Sequence, residues 1–355
     1  MEIEIGLIGF GLSGRAFHAP VIQAVPGLRL AAILQRTGSF DSSEYPGVRL
    51  VHSLDELLAI ESLRLIVIAT PNTSHFALAQ RCLEAGRDVV VEKPFAISLQ
   101  EAERLVALAE KLGRMMTVFH ERRWDGDFRT VKQILDSGEL GRVVRFEAHW
   151  DRFRPEVRID AWREQPQLGS GVLFDLAPHL IDQALLLFGP PDAITSDVRI
   201  ERDCALTDDA FDLLLHYPRG LTASLHSSML VAAPRPRYVL HGTGGSFVKH
   251  GMDPQEALLK AGARPTGDAW GLEATEYWGR LTLSDSESIT SRTVRTQRGD
   301  YRRFYENVRD AFLGTAPLAI SPSQALDVMR VLELARMSSA RRATLSWAEL
   351  RDARD

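Results

Sequence analysis

Apolar residues gather in short runs along the first third of the chain, and amphipathic stretches separate them. Residues 3–9, 28–35, 63–70, 88–92 and 115–120 are strand-like and rich in Ile, Leu and Val. Residues 14–25, 53–60, 74–86 and 98–112 carry helical spacing. Nearly continuous apolar strands that alternate with helices predict a parallel sheet covered on both faces, so the fold class is α/β. The first domain is a doubly wound one over residues 1–120.

Beyond residue 120 the pattern changes. Residues 128–137 read as a helix. Val144, Phe146, Ala148 and Trp150 then alternate with Arg145, Glu147, His149 and Asp151. Further strands are expected at 210–217, 221–230 and 238–241, with no helix between successive ones. That order predicts an open, predominantly antiparallel sheet in a second α/β domain over 121–355, half exposed or buried in an oligomer. Closing helices are expected at 301–313 and 322–340, with packing back on the first domain as one arrangement for them. By composition, 261–271 is the least ordered stretch.

Composition narrows the function classes. The 355 residues suggest two domains at about 150 residues each. A net charge of −5 gives no electrostatic reason to expect nucleic acid or an anionic membrane as partner. Cys82 and Cys204 are too few for a disulfide framework, and both are expected as buried small hydrophobes in a reducing compartment. The N-terminus lacks the basic-then-apolar order of a signal peptide. No run is expected to reach the roughly 20 apolar residues that span a bilayer. The cytoplasm is the expected location. His18, His52 and His149 have no metal-site spacing, and no metal is expected.

Gly9-Phe10-Gly11-Leu12-Ser13-Gly14 fits G-x-G-x-x-G between a strand and a helix. In that context Gly9 permits a tight turn and Gly11 lets backbone approach a pyrophosphate. Gly14 lets the helix pack closely, as in a Rossmann domain. The end of the second strand reads Gln35-Arg36-Thr37, with no acid before Asp41. An NAD enzyme usually places a carboxylate there for the ribose hydroxyls. Arg36 suits a 2′-phosphate instead, with Thr37 as a second donor. NADP(H) is therefore the expected cofactor, with NAD(H) as the alternative if Arg36 only stacks on adenine.

Two further segments suggest redox chemistry. Glu92-Lys93-Pro94 follows a strand end, where doubly wound sheets bind ligands. After Gly169-Ser170-Gly171, the residues Asp175, His179 and Asp182 share one helix face. Alcohol–carbonyl interconversion needs a group that takes the hydroxyl proton and a cation that steadies the oxyanion. His179 and Lys93 fit these roles, with the principal proton-transfer group left open between them.

Together these elements resemble the Gfo/Idh/MocA oxidoreductases over essentially the whole chain, and most closely the NADP-dependent scyllo-inositol dehydrogenase-like branch. The resemblance includes Ala69-Thr70-Pro71-Asn72 with His75. It implies catalytic residues matching Lys93 and His179, and a substrate-binding acid matching Asp175. It places Thr70, Pro71, Asn72, His75, Glu92, Trp162 and Arg163 along the cofactor. It also implies a homodimer or homotetramer built through the open sheet, acting on a sugar, polyol or inositol-like compound. Glu121-Arg122-Arg123 departs from the branch, which usually has asparagine in place of Glu121. Glu121 and Arg123 are expected as substrate contacts. A regulator that binds dinucleotide without turnover remains open, as does a reductase of an imine or biliverdin-like group.

Overall fold

The computed structural model describes residues 2–37, 40–158, 160–284 and 287–349. The chain forms two compact units. The first takes the residues up to Trp124 together with Pro254–Trp270 and Asp300–Leu326; the rest form the second. The sequence reading put the boundary at residue 120, with packing of the closing helices back on the first domain as one arrangement; the chain returns to the first unit at Pro254–Trp270 and at Asp300–Leu326. The returning segments carry large apolar side chains, including Trp270, Phe304, Tyr305 and Val308, that complete the first unit's core.

In the first unit, β1 (Ile3–Ile8), β2 (Leu28–Leu34), β3 (Arg49–Val51), β4 (Leu63–Ile68), β5 (Asp88–Glu92) and β6 (Met116–Phe119) form one parallel sheet. Its order is β3-β2-β1-β4-β5-β6. The order reverses between β1 and β4, and the crevice at such a switch point is where these sheets bind ligands. Ile5, Leu7, Leu65, Val67 and Val90 from the strands pack with Val21 and Ile22 in the core.

The second unit holds β7 (Val143–His149), β8 (Ala193–Arg199), β9 (Ala210–His216), β10 (Thr222–Ser228), β11 (Tyr238–Gly242), β12 (Gly245–Lys249), β13 (Gly279–Ser284), β14 (Ile289–Val294) and β15 (Leu345–Ser346). They pair in the order β14-β13-β12-β11-β7-β10-β9-β8-β15. Only the β7–β10 pair is parallel among the described residues. Phe146, Ala148, Leu213, Leu215, Ala223, Leu225 and Leu240 are buried, while Arg145, Glu147, Leu214, Ser224 and Val239 on the alternate positions stay exposed or half-exposed.

The helix Gly171–Phe188 lies against β9 and β10, and the Tyr238 hydroxyl donates to Gln183 from the sheet at 2.8 Å. By length and composition alone this helix could cross a membrane, although Asp175, His179, Asp182 and Gln183 interrupt its apolar run. Most of it is buried inside the second unit, which accounts for its hydropathy. Cys82 is buried as expected, but Cys204 is exposed, because it sits in a turn with φ +63° outside the sheet.

Candidate active site

The glycine-rich turn sits at the switch point. The Gly9 N–H donates to the Leu34 carbonyl at 3.0 Å, and the Ala69 N–H to the Ile8 carbonyl at 2.8 Å. The turns after β1 and β4 therefore lie side by side. Gly9 has φ +93°, and a side chain there would press on the Ala69 carbonyl. At Gly11 a side chain would meet nothing within 4 Å, so this stretch of backbone faces open space. At Gly14 it would overlap the carbonyl of Gly9 itself, so this close contact is with the turn more than with the strand. Phe10 turns inward, with its ring 5.2 Å from Tyr45 and 5.7 Å from Phe40, while Leu12 stays exposed. An open glycine turn leading into a helix fits a dinucleotide pyrophosphate.

Beyond β2, Arg36 and Thr37 are exposed. The Gln35 side-chain amide donates to the Thr37 carbonyl at 2.9 Å. The first acid after β2, Asp41, accepts from the Ser43 N–H at 2.9 Å and hydroxyl at 2.6 Å, so its carboxylate is engaged in its own turn.

After β4, Thr70 accepts from the Ser74 hydroxyl at 2.7 Å, Pro71 is exposed and Asn72 is buried. His75 is buried as well. Its ring nitrogens lie 2.9 Å from the Pro94 carbonyl and 3.0 Å from the Thr70 carbonyl, which braces the two loops together. Burial lowers its pKa, and the two carbonyls oppose that shift.

Lys93 follows β5, is half-buried and precedes a cis peptide bond to Pro94. Its N–H donates to Glu92 Oε2 at 2.8 Å, and the Ser13 hydroxyl donates to Glu92 Oε1. His18, which the sequence reading weighed only as a metal ligand, and Tyr305 join this cluster: His18 Nε2 is 3.2 Å from Glu92 Oε1, and Nδ1 is 2.6 Å from the Tyr305 hydroxyl. Separations of 74 and 287 residues hide such a cluster from any local motif.

Glu121 follows β6 and is buried, with Oε1 3.3 Å from Arg122 Nε. Burial raises its carboxyl to about 7; Arg122 and Lys93 oppose that shift and the Glu92 carboxylate adds to it. Between the ordinary carboxylate pKa and 7, the folded chain holds a proton that the unfolded chain has released. Stability from this group therefore falls as pH rises through that window. Urea denaturation should show the stability of Glu121→Gln relative to wild type rising by about 2 kcal/mol from pH 5 to pH 8. A constant difference would contradict the assignment. Arg123 is buried and donates to the Ala319 carbonyl at 2.6 Å and to Gln324 at 3.2 Å, bonds that brace the loop after β6.

In the second unit, Asp175, His179 and Asp182 lie along the helix Gly171–Phe188. Asp182 and His179 are buried, and the His179 ring lies 5.2 Å from the Trp150 ring. Trp150 also carries the Arg237 guanidinium at 4.6 Å. Asp175 is half-buried. It accepts from Arg163 Nε at 3.1 Å and faces Arg152 Nη1 at 3.8 Å, a second guanidinium absent from the sequence reading. Arg163 is exposed and lies over the Trp162 ring at 4.5 Å. Among the described residues no cluster of His, Cys, Asp and Glu is arranged to hold a metal.

The strand order and the glycine turn at its switch point define a dinucleotide-binding protein. Comparison with known families sharpens this. Residues 3–120 match the oxidoreductase family with an NAD-binding Rossmann fold, and residues 128–248 match the GFO/IDH/MocA C-terminal domain. The chain belongs to the Gfo/Idh/MocA family of NAD-binding oxidoreductases. It is 45% identical to the oxidoreductase YdgJ of Escherichia coli K12, over 98% of this chain and 99% of that one. It is 34% identical to the NADP(+) scyllo-inositol 2-dehydrogenase IolW of Bacillus subtilis, over 97% of this chain and 95% of that one. Among solved structures, the oxidoreductase yvaA from Bacillus subtilis matches with a TM-score of 0.94 and 34% identity, over 97% of this chain and 98% of that one.

Proposed function

We propose that this oxidoreductase interconverts the hydroxyl and carbonyl forms of a sugar, polyol or inositol-like compound, with NADP(H) as the preferred hydride carrier. The observation that carries the reading is Lys93, half-buried at the carboxyl edge of β5 beside the ionised Glu92. The name of the Bacillus subtilis relative supports the substrate class and the cofactor.

In this reading Lys93 binds the reacting oxygen and steadies its negative charge. His179 takes the hydroxyl proton in oxidation and returns it in reduction, and Asp175 holds a neighbouring hydroxyl. Gly9, Gly11, Ser13 and Gly14 would cradle the pyrophosphate, and Arg36 with Thr37 would take a 2′-phosphate. Glu121 is a substrate contact in the same proposal. The protein is proposed to work in the cytoplasm as a homodimer or homotetramer joined through the open face of the second unit's sheet. Turnover of NADPH or NADP⁺ with one member of a panel of inositols, sugars and their keto forms tests the function; no turnover with any of them would contradict it.

Cofactor choice has its own test. Arg36→Ala should weaken NADPH binding about tenfold to a hundredfold, the equivalent of one or two charge-assisted hydrogen bonds, and leave NADH binding nearly unchanged. Fluorescence titration with both nucleotides measures this. An equal loss for the two would make Arg36 an adenine-stacking residue without discrimination.

A further inference from the structure

Glu92 ends β5, and its carboxyl is the meeting point of several elements of the first unit. The Ser13 hydroxyl and His18 Nε2 converge on Oε1, while the Lys93 N–H donates to Oε2. Behind His18 stands the Tyr305 hydroxyl, and the imidazole packs on Phe119 with ring centroids 4.2 Å apart. Phe119 is the β6 neighbour of Glu92 in register. His18 and Tyr305 are fully buried.

Ser13 and His18 are five residues apart. In a regular α-helix such residues point about 140° away from each other. Here the Ala19 N–H reaches back to the Gly14 carbonyl, and Gly14–His18 forms a π-helical turn. The wider turn brings positions five apart to the same side, and turns of this kind concentrate at functional sites. The helix that opens the glycine motif is thus wound so that both side chains meet Glu92. A buried carboxyl without such donors would take up a proton. Burial opposes the charge of Glu92 too, yet His18, Lys93 and Ser13 hold its pKa at about 2.

We propose that Ser13, His18 and Tyr305 are positioning residues for the reaction centre: they hold Glu92 as a fixed carboxylate that orients Lys93 and ties it to the glycine-rich turn. The proposal rests on Lys93 acting in catalysis as inferred above. The charged and titratable groups facing Glu92 are Lys93 at its own strand end, His18 after the glycine turn and Tyr305 on the helix Arg302–Phe312. Glu121 after β6, itself paired with Arg122, and His75 after β4 complete the set. When His18 Nε2–H donates to the carboxylate, Nδ1 is placed to accept the Tyr305 O–H. Each proton in the chain then has a defined place.

The test compares His18→Leu, His18→Gln and Tyr305→Phe in the full chain, by urea denaturation from pH 3 to pH 7 and by kcat with NADPH from pH 5 to pH 8. In wild type the Glu92 contribution to stability is complete above the ordinary carboxylate pKa and is lost only as pH falls towards 2. In His18→Leu the folded carboxyl has lost a donor and binds its proton more tightly. The stability gap to wild type should therefore widen as pH rises. Its kcat should fall about tenfold to a hundredfold, and more steeply towards pH 5 than that of wild type, while NADPH affinity stays nearly constant.

His18→Gln keeps an N–H donor and should recover most of both properties. Tyr305→Phe, which keeps the ring, should shift them in the same direction as His18→Leu by less, and it carries the test should His18→Leu fail to fold. A gap that does not change with pH, or a His18→Gln protein as impaired as His18→Leu, would overturn the proposal. Tyr305→Phe, which leaves the imidazole in place, judges the Glu92 clamp in the stability arm, whereas full turnover in a Lys93→Ala protein would strike the catalytic reading of Lys93.

Discussion

Replacing Lys93 by alanine is expected to lower kcat by about a hundredfold to a thousandfold, with NADPH binding nearly intact. In the proposed mechanism the ammonium is the part of this residue that does the chemistry. The backbone N–H, which holds Glu92 Oε2 at 2.8 Å, survives the substitution, so the strand end keeps its geometry. Lys93→Arg should not restore the rate, because a planar guanidinium does not present a compact charge at the same point. Saturation kinetics at 340 nm separate kcat from KM. An unchanged kcat in Lys93→Ala would remove this residue from the mechanism.

His179→Ala should cost about a hundredfold to ten-thousandfold in kcat, the range for a lost general acid–base group. The ring is buried beside Trp150 at 5.2 Å, so alanine also opens a cavity. His179→Asn fills most of that space without an imidazole. It should lose comparable activity while melting closer to wild type. Two variants whose rates follow their stabilities, and not the loss of the imidazole, would show that His179 is only a packing residue.

The first unit was largely legible because most of its strands are short apolar runs separated by helices; β3, three residues long and following β2 with no helix between, was missed. β1, β4 and β5 are buried at almost every position, and a parallel sheet covered on both faces demands that. The glycine motif was legible for the same reason, since its strand and helix neighbours gave it meaning. β14 was not. Its sequence ITSRTV is exposed at every position but Val294, so an edge strand with polar faces left no periodic signal. β8, β12 and β13 were missed for similar reasons, being short or mixed in pattern. The 261–271 stretch, read from composition as the least ordered, holds no helix or strand, yet its Trp270 is buried in the first unit's core.

Local motifs singled out Lys93, Asp175 and His179 as candidates but not all of the side chains that surround them. Arg163, 12 positions upstream of Asp175, was expected along the cofactor and not beside this acid, and Arg152, 23 positions upstream, had nothing in its local pattern to mark it. The π-helical turn that aims His18 at Glu92 is likewise invisible to a reading that assumes one helical period from residue 14 onward.

The central claim is hydride exchange at a carbinol carbon, and isotope transfer tests it most directly. A polyol or sugar that is turned over with NADP⁺ is prepared with deuterium on the reacting carbon, and the NADPH formed is weighed by mass spectrometry. The account predicts one deuterium per NADPH and a rate slower than with the unlabelled substrate when hydride transfer limits turnover. NADPH formed without the label would contradict it.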